Sequence, residues 1–133
     1  MADPIPVIDD YMARDLVTLA PTDDIHAAMR VLVDNRISGA PVLDADGALV
    51  GVLTKKDCLK VVFQSSYHQD WGGRVENFMS AEVETLEAGM NVIAAAEHFA
   101  KASYRRFPVM REGRIVGQIS RHDILGALTD LWG

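Results

Sequence analysis

The chain has 133 residues, of which 49% are hydrophobic and 24% are charged, and 13 basic against 19 acidic side chains give a formal net charge of −6. This length suffices for one compact domain whose core needs neither disulfides nor a metal ion. The acidic balance, without any basic run, disfavours nucleic acid as a partner, and no apolar run is long enough to span a membrane.

The start of the chain and its cysteine content favour the cytoplasm. The first ten residues lack the basic and apolar segments of a secretion signal. Cys58 is the only cysteine, so the chain cannot form an internal disulfide. We therefore expect a cytoplasmic protein with no membrane contact.

The first half of the chain predicts a strand, a helix, a hairpin and a second helix. A short strand around Leu16 to Leu19 precedes Thr22-Asp23-Asp24, which has the composition of a helix N-cap before an apolar pattern of helical spacing. The runs Ala40 to Leu43 and Ala48 to Leu53 flank an Asp-Gly turn and predict a β-hairpin. Thr54 begins the second amphipathic helix.

The second half of the chain repeats this order. The predicted elements are a strand at Val83 to Leu86, a helix at Met90 to Ala102, strands at Phe107 to Met110 and Arg114 to Ile119, and a helix at Arg121 to Leu131. The fold class is therefore α+β, with helices packed on small sheets.

The two halves align with each other along most of their length. A shift of 67 residues matches Met12 with Met79, and after the hairpin turn a shift of 66 matches Asp57 with Asp123. Such internal similarity indicates one supersecondary unit built twice. We expect repeat 1 in residues 1–66, with the N-terminal segment, a connector at 67–74, and repeat 2 in residues 75–133.

Two segments in each half carry a resemblance to a known family. They are Ser38-Gly39-Ala40-Pro41-Val42 with Leu49 to Asp57, and Arg105-Arg106-Phe107-Pro108-Val109 with Ile115 to Asp123. In this combination the chain resembles the tandem cystathionine-β-synthase (CBS) domain pair over residues 7 to 131. The resemblance implies two β-α-β-β-α repeats packed about a pseudo-twofold axis, with AMP, ATP or another adenosyl ligand in the two clefts between them.

The motifs Thr54-x-x-Asp57 and Ser120-x-x-Asp123 each lie where a strand turns into a helix. One interpretation is a helix cap, in which the hydroxyl and the acid bond reciprocally to the backbone. The other is a cap that is also a ligand site, in which the same carboxylate accepts both ribose hydroxyls and the helix N-terminus favours phosphate.

The pair Arg105-Arg106 precedes the Phe107-Pro108-Val109 strand. Guanidinium groups at a strand end can bind phosphate oxygens in a forked geometry, although charge pairs are also common on solvated surfaces. Repeat 1 has Ser38-Gly39 at the corresponding position, and these two residues carry no charge, so the two clefts should differ.

The resemblance implies two sets of ligand-binding residues. The first-choice cleft would comprise Leu16, Val17, Ser38, Gly39, Ala40, Arg105, Arg106, Ser120 and Asp123. The second would comprise Val83, Tyr104, Phe107, Thr54, Lys55, Lys56 and Asp57. Glu84 fits poorly against a base, which weakens the second set.

No motif predicts catalysis or a metal site. The histidines are scattered along the chain at 26, 68, 98 and 122, and Cys58 lies in a predicted helix, where we expect a small buried side chain. We therefore expect a non-enzymatic sensor with no required cofactor and an adenine nucleotide as regulatory ligand. We also expect a homodimer through the helices after Thr54 and Ser120, acting on a separate effector protein. The alternative is a ligand-free dimerisation module.

Overall fold

The structure, a computed structural model, describes the backbone of residues 4–68 and 72–133 and the side chains of residues 4–63 and 72–133. The helices are α1 (Ile25–Asp34), α2 (Lys55–His68), α3 (Val92–Lys101) and α4 (Arg121–Trp132). The strands are β1 (Gly39–Leu43), β2 (Leu49–Thr54), β3 (Leu86–Glu87), β4 (Arg106–Arg111) and β5 (Arg114–Ser120). Two 3-10 helices, Ile8–Asp10 and Val75–Asn77, complete the set.

The chain divides into two compact units. Val17–Val83 forms one, which we call the repeat-1 unit, and Met1–Leu16 with Glu84–Gly133 forms the other, the repeat-2 unit. These units divide the chain at other points than the sequence repeats, because the segment leading into each repeat belongs to the other unit. The boundaries 1–66, 67–74 and 75–133 stay a prediction, and residues 69–71 of the connector lie outside the described part of the chain.

The repeat-1 unit is built on the β1–β2 hairpin. The two strands are antiparallel, with Gly39 opposite Thr54 and Ala40 opposite Leu53. The predicted strand at residues 16–19 is reduced to one parallel bridge between Leu19 and Val42, because only the amide and carbonyl of Leu19 bond to β1. The buried core consists of Leu19, Ile25, Ala28, Leu32, Ala40, Val42, Leu53, Val61, Val75 and Phe78.

The repeat-2 unit contains a three-stranded sheet in the order β3-β4-β5. β3 runs parallel to β4, with Leu86 opposite Val109, and β4 is antiparallel to β5. The predicted strand at Val83 to Leu86 therefore begins later than expected. The buried core consists of Ile8, Met12, Leu86, Val92, Ala95, Phe99, Phe107, Val109, Ile119, Ile124 and Ala127.

Two equivalent glycines allow the leading segments to cross the hairpins at close range. A Cβ built on Gly117 would lie 2.8 Å from the carbonyl oxygen of Ala13, and one on Gly51 would lie 2.9 Å from that of Ser80. These crossings carry backbone hydrogen bonds, from Ala13 to Gln118 in one unit and from Ser80 to Val52 in the other. The sequence predicted neither the crossings nor the 3-10 helices, because they depend on contacts distant in sequence.

Side-chain caps set the first turns of α1 and α3. Asp24 accepts a hydrogen bond from the amide of Ala27, so within the predicted Thr22-Asp23-Asp24 the cap is the last residue. Asn91 accepts from the amide of Ala94, and α3 therefore begins at Val92 and not at Met90 as predicted.

Candidate functional site

In the repeat-2 unit, β5 passes directly into α4 through a reciprocal cap. The Ser120 hydroxyl accepts a hydrogen bond from the amide of Asp123 over 3.1 Å, and the Asp123 Oδ2 accepts from the amide of Ser120 over 2.9 Å. This is a capping box that fixes the carboxylate at the first turn of α4. The cap that both interpretations include is therefore present, and the capping bond to Ser120 uses only one of the two carboxylate oxygens.

The second oxygen of Asp123 remains available. Within the described residues, Asp123 makes no side-chain hydrogen bond or ion pair other than its bond to Ser120. The side chain is half-buried, which leaves part of it open to a ligand. A half-buried carboxylate oxygen with no protein donor is an acceptor site for hydroxyl groups.

Two arginines lie beside this cap. Arg106 is the first residue of β4 and lies directly opposite Ser120 in the β4–β5 ladder. The carbonyl of Arg105 accepts a hydrogen bond from the amide of Arg121 over 3.0 Å, which ties this segment to the start of α4. Both arginines are exposed, and in the described part of the chain neither guanidinium has an acidic partner.

The equivalent junction in the repeat-1 unit has the same backbone arrangement. Lys55 donates its amide to the Ser38 carbonyl over 2.8 Å, as Arg121 does to Arg105. The Asp57 amide donates to Thr54 Oγ1 over 3.1 Å, and Asp57 Oδ2 accepts from the Thr54 amide over 3.0 Å. Asp57 therefore caps α2 as Asp123 caps α4.

The surroundings of the two aspartates differ. Asp57 is only 4% exposed, and its Oδ1 accepts from Lys60 Nζ over 2.9 Å and from Ser80 Oγ over 3.4 Å. Both of its oxygens are therefore engaged by protein donors. The positions that correspond to Lys60 and Ser80 in the internal alignment are Gly126 and Ala13, whose side chains offer no donor.

The remaining predicted residues fall into both units. In the repeat-1 unit Ser38, Lys55 and Lys56 are exposed, Val17, Gly39 and Val83 are half-buried, and Ala40 is buried in the core. In the repeat-2 unit Leu16 is half-buried, Tyr104 is exposed, and Phe107 is buried in the core. Both predicted ligand sets draw on the two units, and both sets stay predictions.

Glu84 has a partner within the repeat-2 unit. Its Oε1 lies 2.6 Å from Nε2 of His98, and the His98 ring makes an edge contact with Phe107 at a centroid distance of 5.2 Å. Tyr104 contacts the same phenylalanine at 5.6 Å. The sequence predicts that Glu84 fits poorly against a base, and its pairing with His98 gives it a role within the repeat-2 unit.

Sequence reasoning missed Lys60 and Ser80. Neither belongs to a motif. Both can be found by extending the internal alignment, because Lys60 and Ser80, which carry hydrogen-bond donors, align with Gly126 and Ala13, which carry none.

Cys58 is half-buried beside Asp57. Burial, together with the negative charge of Asp57, raises the pKa of the Cys58 thiol. A raised pKa lowers the thiolate fraction and disfavours nucleophilic reactivity.

Comparison with known proteins identifies the family. The model of the CBS domain matches the chain twice, at residues 8–64 and 75–130. The chain belongs to the CBS domain family. The predicted fold class, two CBS repeats of mixed helix and strand, is thereby confirmed.

Curated CBS relatives include proteins of several kinds. Protein MJ1225 of Methanocaldococcus jannaschii is 23% identical over 94% of this chain, and the CBS domain-containing protein CBSX1, chloroplastic, of Arabidopsis thaliana is 29% identical over 90%. Inosine-5'-monophosphate dehydrogenase of M. jannaschii is 28% identical over 88%. The matches span 44%, 63% and 22% of these three relatives, so the chain corresponds to a part of each.

Solved CBS structures agree with the fold over nearly the whole chain. CBSX2 of A. thaliana in complex with AMP is 25% identical, with a TM-score of 0.83 and coverage of 96% of this chain and 98% of that one. MJ1225 of M. jannaschii is 29% identical, with a TM-score of 0.82 and coverage of 95% and 49%. The CBS domain pair of MJ0100, with 5'-methylthioadenosine and S-adenosylmethionine, is 25% identical, with a TM-score of 0.78 and coverage of 96% and 98%.

Two kinds of structural feature are absent from the described residues. None of their helices has the length and apolar character required to cross a membrane. They also contain no group of three or more histidine, cysteine or acidic side chains arranged to hold a metal ion.

Proposed function

We propose that this CBS pair is a regulatory module that binds an adenine nucleotide, AMP, ADP, ATP or another adenosyl ligand, and performs no chemistry on it. One observation carries the proposal. At a single strand–helix junction, Asp123 has an oxygen without a protein donor, and Arg105 and Arg106 have no acidic partner in the described chain.

The chemistry of this junction suits the ribose and phosphate of a nucleotide. The Asp123 carboxylate accepts hydrogen bonds from the ribose hydroxyls, as acidic residues do in dinucleotide-binding folds. The guanidinium groups of Arg105 and Arg106 bind the phosphate oxygens, helped by the N-terminus of α4. Leu16, Val17 and the backbone of Ser38 to Ala40 would surround the adenine, as the family resemblance implies.

The relatives with bound ligands support this class of molecule. CBSX2 is in complex with AMP, and the CBS pair of MJ0100 with 5'-methylthioadenosine and S-adenosylmethionine, so the shared group is an adenosine. Neither of the two MJ0100 ligands carries a phosphate. 5'-Methylthioadenosine has no anionic group and S-adenosylmethionine offers only the carboxylate of its amino-acid end, whereas a phosphate suits the forked geometry of Arg105 and Arg106, so we assign this chain to phosphate-bearing nucleotides.

The proposal includes a homodimer and a separate effector protein. Large apolar side chains are exposed on α2 (Leu59 and Val62) and on α4 (Leu125 and Trp132). A solvent-exposed apolar stripe on a helix favours burial against another protein surface, and equal patches on two copies favour a symmetric dimer.

A ligand that binds one dimer arrangement more tightly shifts the population towards that arrangement, and this shift is the signal that an effector protein would detect. The proposed compartment is the cytoplasm.

A second candidate is a ligand-free dimerisation module. The observation that favours it is that Asp57 and Asp123 both cap helices, so neither needs a ligand to explain its place in the fold.

Titration calorimetry with AMP, ADP, ATP and S-adenosylmethionine separates the two candidates. We expect binding by the wild type, with phosphate-bearing nucleotides preferred, and a loss of about 10- to 100-fold in affinity for Asp123→Asn. Asparagine retains a cap oxygen, so this variant keeps the helix start while it loses the charge. Asp24→Asn, a matched cap change on α1, should bind as the wild type does. If none of the nucleotides binds, the result favours the dimerisation module.

A further inference from the structure

The two strand–helix junctions of this chain are not equivalent as ligand sites. We propose that each chain binds one nucleotide, at the Asp123 junction, because Lys60 and Ser80 close the Asp57 junction from within the repeat-1 unit. This inference rests on the proposed function and decides which of the two predicted ligand sets is used.

Both oxygens of Asp57 already accept hydrogen bonds from protein donors. Its Oδ2 accepts from the Thr54 amide, and its Oδ1 accepts from Lys60 Nζ over 2.9 Å and from Ser80 Oγ over 3.4 Å. The side chain of Asp57 is only 6% exposed, whereas that of Lys60 is 49% exposed. The lysine therefore extends from solvent to a carboxylate that solvent barely reaches.

Replacing Lys60 by a ribose would be unfavourable. The bond between an ammonium and a carboxylate is charge-assisted and stronger than a bond from a neutral hydroxyl. Separating the pair would also leave a nearly buried carboxylate without a counter-charge, which is strongly destabilising. A nucleotide that bound Asp57 would have to offset the loss of the charge-assisted bond and the loss of the counter-charge with hydrogen bonds from its hydroxyl groups alone.

The Asp123 junction lacks both closing groups. Gly126 stands at the place of Lys60, three residues after the aspartate, and Ala13 stands at the place of Ser80. A Cβ built on Gly126 meets no atom within 4 Å, so the space beside Asp123 on α4 is open. Around the two aspartates the junctions thus differ at these two positions, and removing Lys60 and Ser80 should open the Asp57 carboxylate to a ligand.

The number of bound nucleotides tests the inference directly. Calorimetry and equilibrium dialysis with AMP should give one site per wild-type chain. Two sites per wild-type chain would overturn the inference and leave the proposed function standing. No binding at all would overturn both.

Two variants test the closing groups themselves. Lys60→Ala with Ser80→Ala should raise the AMP stoichiometry from one to two, with the second site weaker than the first, because Asp57 then loses both side-chain donors while its junction still has Gly39 where the other has Arg106. A folded double variant that still binds one nucleotide would contradict the role of Lys60 and Ser80.

A change at the Asp123 junction gives a second test, which does not depend on the folding of that double variant. Gly126→Lys should place an ammonium beside Asp123 and reduce AMP affinity by about 10-fold or more, since a charged competitor then holds the carboxylate. Gly126→Ala is the matched control and should bind as the wild type does. Unchanged affinity in Gly126→Lys would overturn the inference.

Discussion

Arg106 and Ser120 are direct cross-strand partners in the β4–β5 ladder. Side chains of such a pair lie on the same face of the hairpin, so the ladder itself places the base of an arginine side chain next to the cap of α4. In the repeat-1 unit the same register pairs Gly39 with Thr54, which leaves that junction without a cation from β1. The asymmetry of the two repeats is therefore built into equivalent positions of one backbone pattern.

The arginines should determine the preference for phosphate. We expect Arg105→Ala with Arg106→Ala to lower AMP and ATP affinity by about 10- to 100-fold, because charge-assisted bonds to the phosphate are lost. Adenosine affinity should stay unchanged, since adenosine has no phosphate to lose. Calorimetry at constant ionic strength measures both, with Arg30→Ala, an exposed arginine on α1, as the control for loss of a surface arginine. An equal loss for adenosine would contradict a phosphate role.

Gly117 should be sensitive to the addition of a single methyl group. A Cβ there would meet Met12 Sδ at 2.5 Å and the Ala13 carbonyl oxygen at 2.8 Å, so the crossing segment must move. We expect Gly117→Ala to lower the free energy of unfolding by roughly 1–3 kcal/mol. Urea unfolding measures this. Gly126→Ala, where the new methyl group meets no atom within 4 Å, should raise stability by about 0.5–1 kcal/mol. Equal effects of the two changes would contradict the packing described for Gly117.

Cys58 should react slowly with alkylating reagents. Burial and the charge of Asp57 raise the pKa of its thiol, so at pH 8 the thiolate fraction is smaller than in a free cysteine. The rate of reaction with iodoacetamide should therefore lie below that of glutathione at pH 8 and keep rising at higher pH. The urea-unfolded chain is the control and should react at the rate of a free cysteine. A folded protein that reacts faster than glutathione would contradict the environment described here.

The exposed apolar side chains of α2 and α4 should hold the proposed homodimer together. Leu59→Glu with Leu125→Glu places charges on both helices, and burying them at an interface without partners is costly. Light scattering after gel filtration should show a dimer for the wild type and a monomer for this variant. Val33→Glu, an equally exposed position on α1, should remain dimeric. A wild-type monomer, or a dimer that survives both charges, would contradict the proposed surface.

Much of this fold could be predicted from local patterns. The hairpins, the four helices and the caps at Thr54 and Ser120 follow from apolar periodicity and turn residues, which act over a few neighbouring positions. The packing of Ile8 and Met12 with the second repeat could not be predicted. A long stretch of chain separates these two residues from that repeat, and the N-terminal segment has no regular apolar pattern. The same limit explains why the predicted strand at residues 16–19 became a single bridge.

The candidate site could likewise be predicted only in its local motifs. The Asp57 and Asp123 motifs were visible in the sequence as equals. Their difference depends on Ser80, which is 23 residues from Asp57 and approaches it only because the segment after Val75 returns across β2. Lys60 lies one helical turn away and was within reach of sequence reasoning, had the internal alignment been extended to Gly126.

The affinity for AMP and for 2',3'-dideoxy-AMP, measured by calorimetry on the wild type and on Asp123→Asn, shows whether Asp123 binds the ribose. If the free carboxylate oxygen binds the ribose diol, removal of the hydroxyls should weaken binding to the wild type by about 10- to 100-fold. The same removal should then have little further effect on the variant, since the two changes delete one interaction. Equal losses in both proteins would show that Asp123 does not contact the ribose and would contradict the proposed nucleotide site.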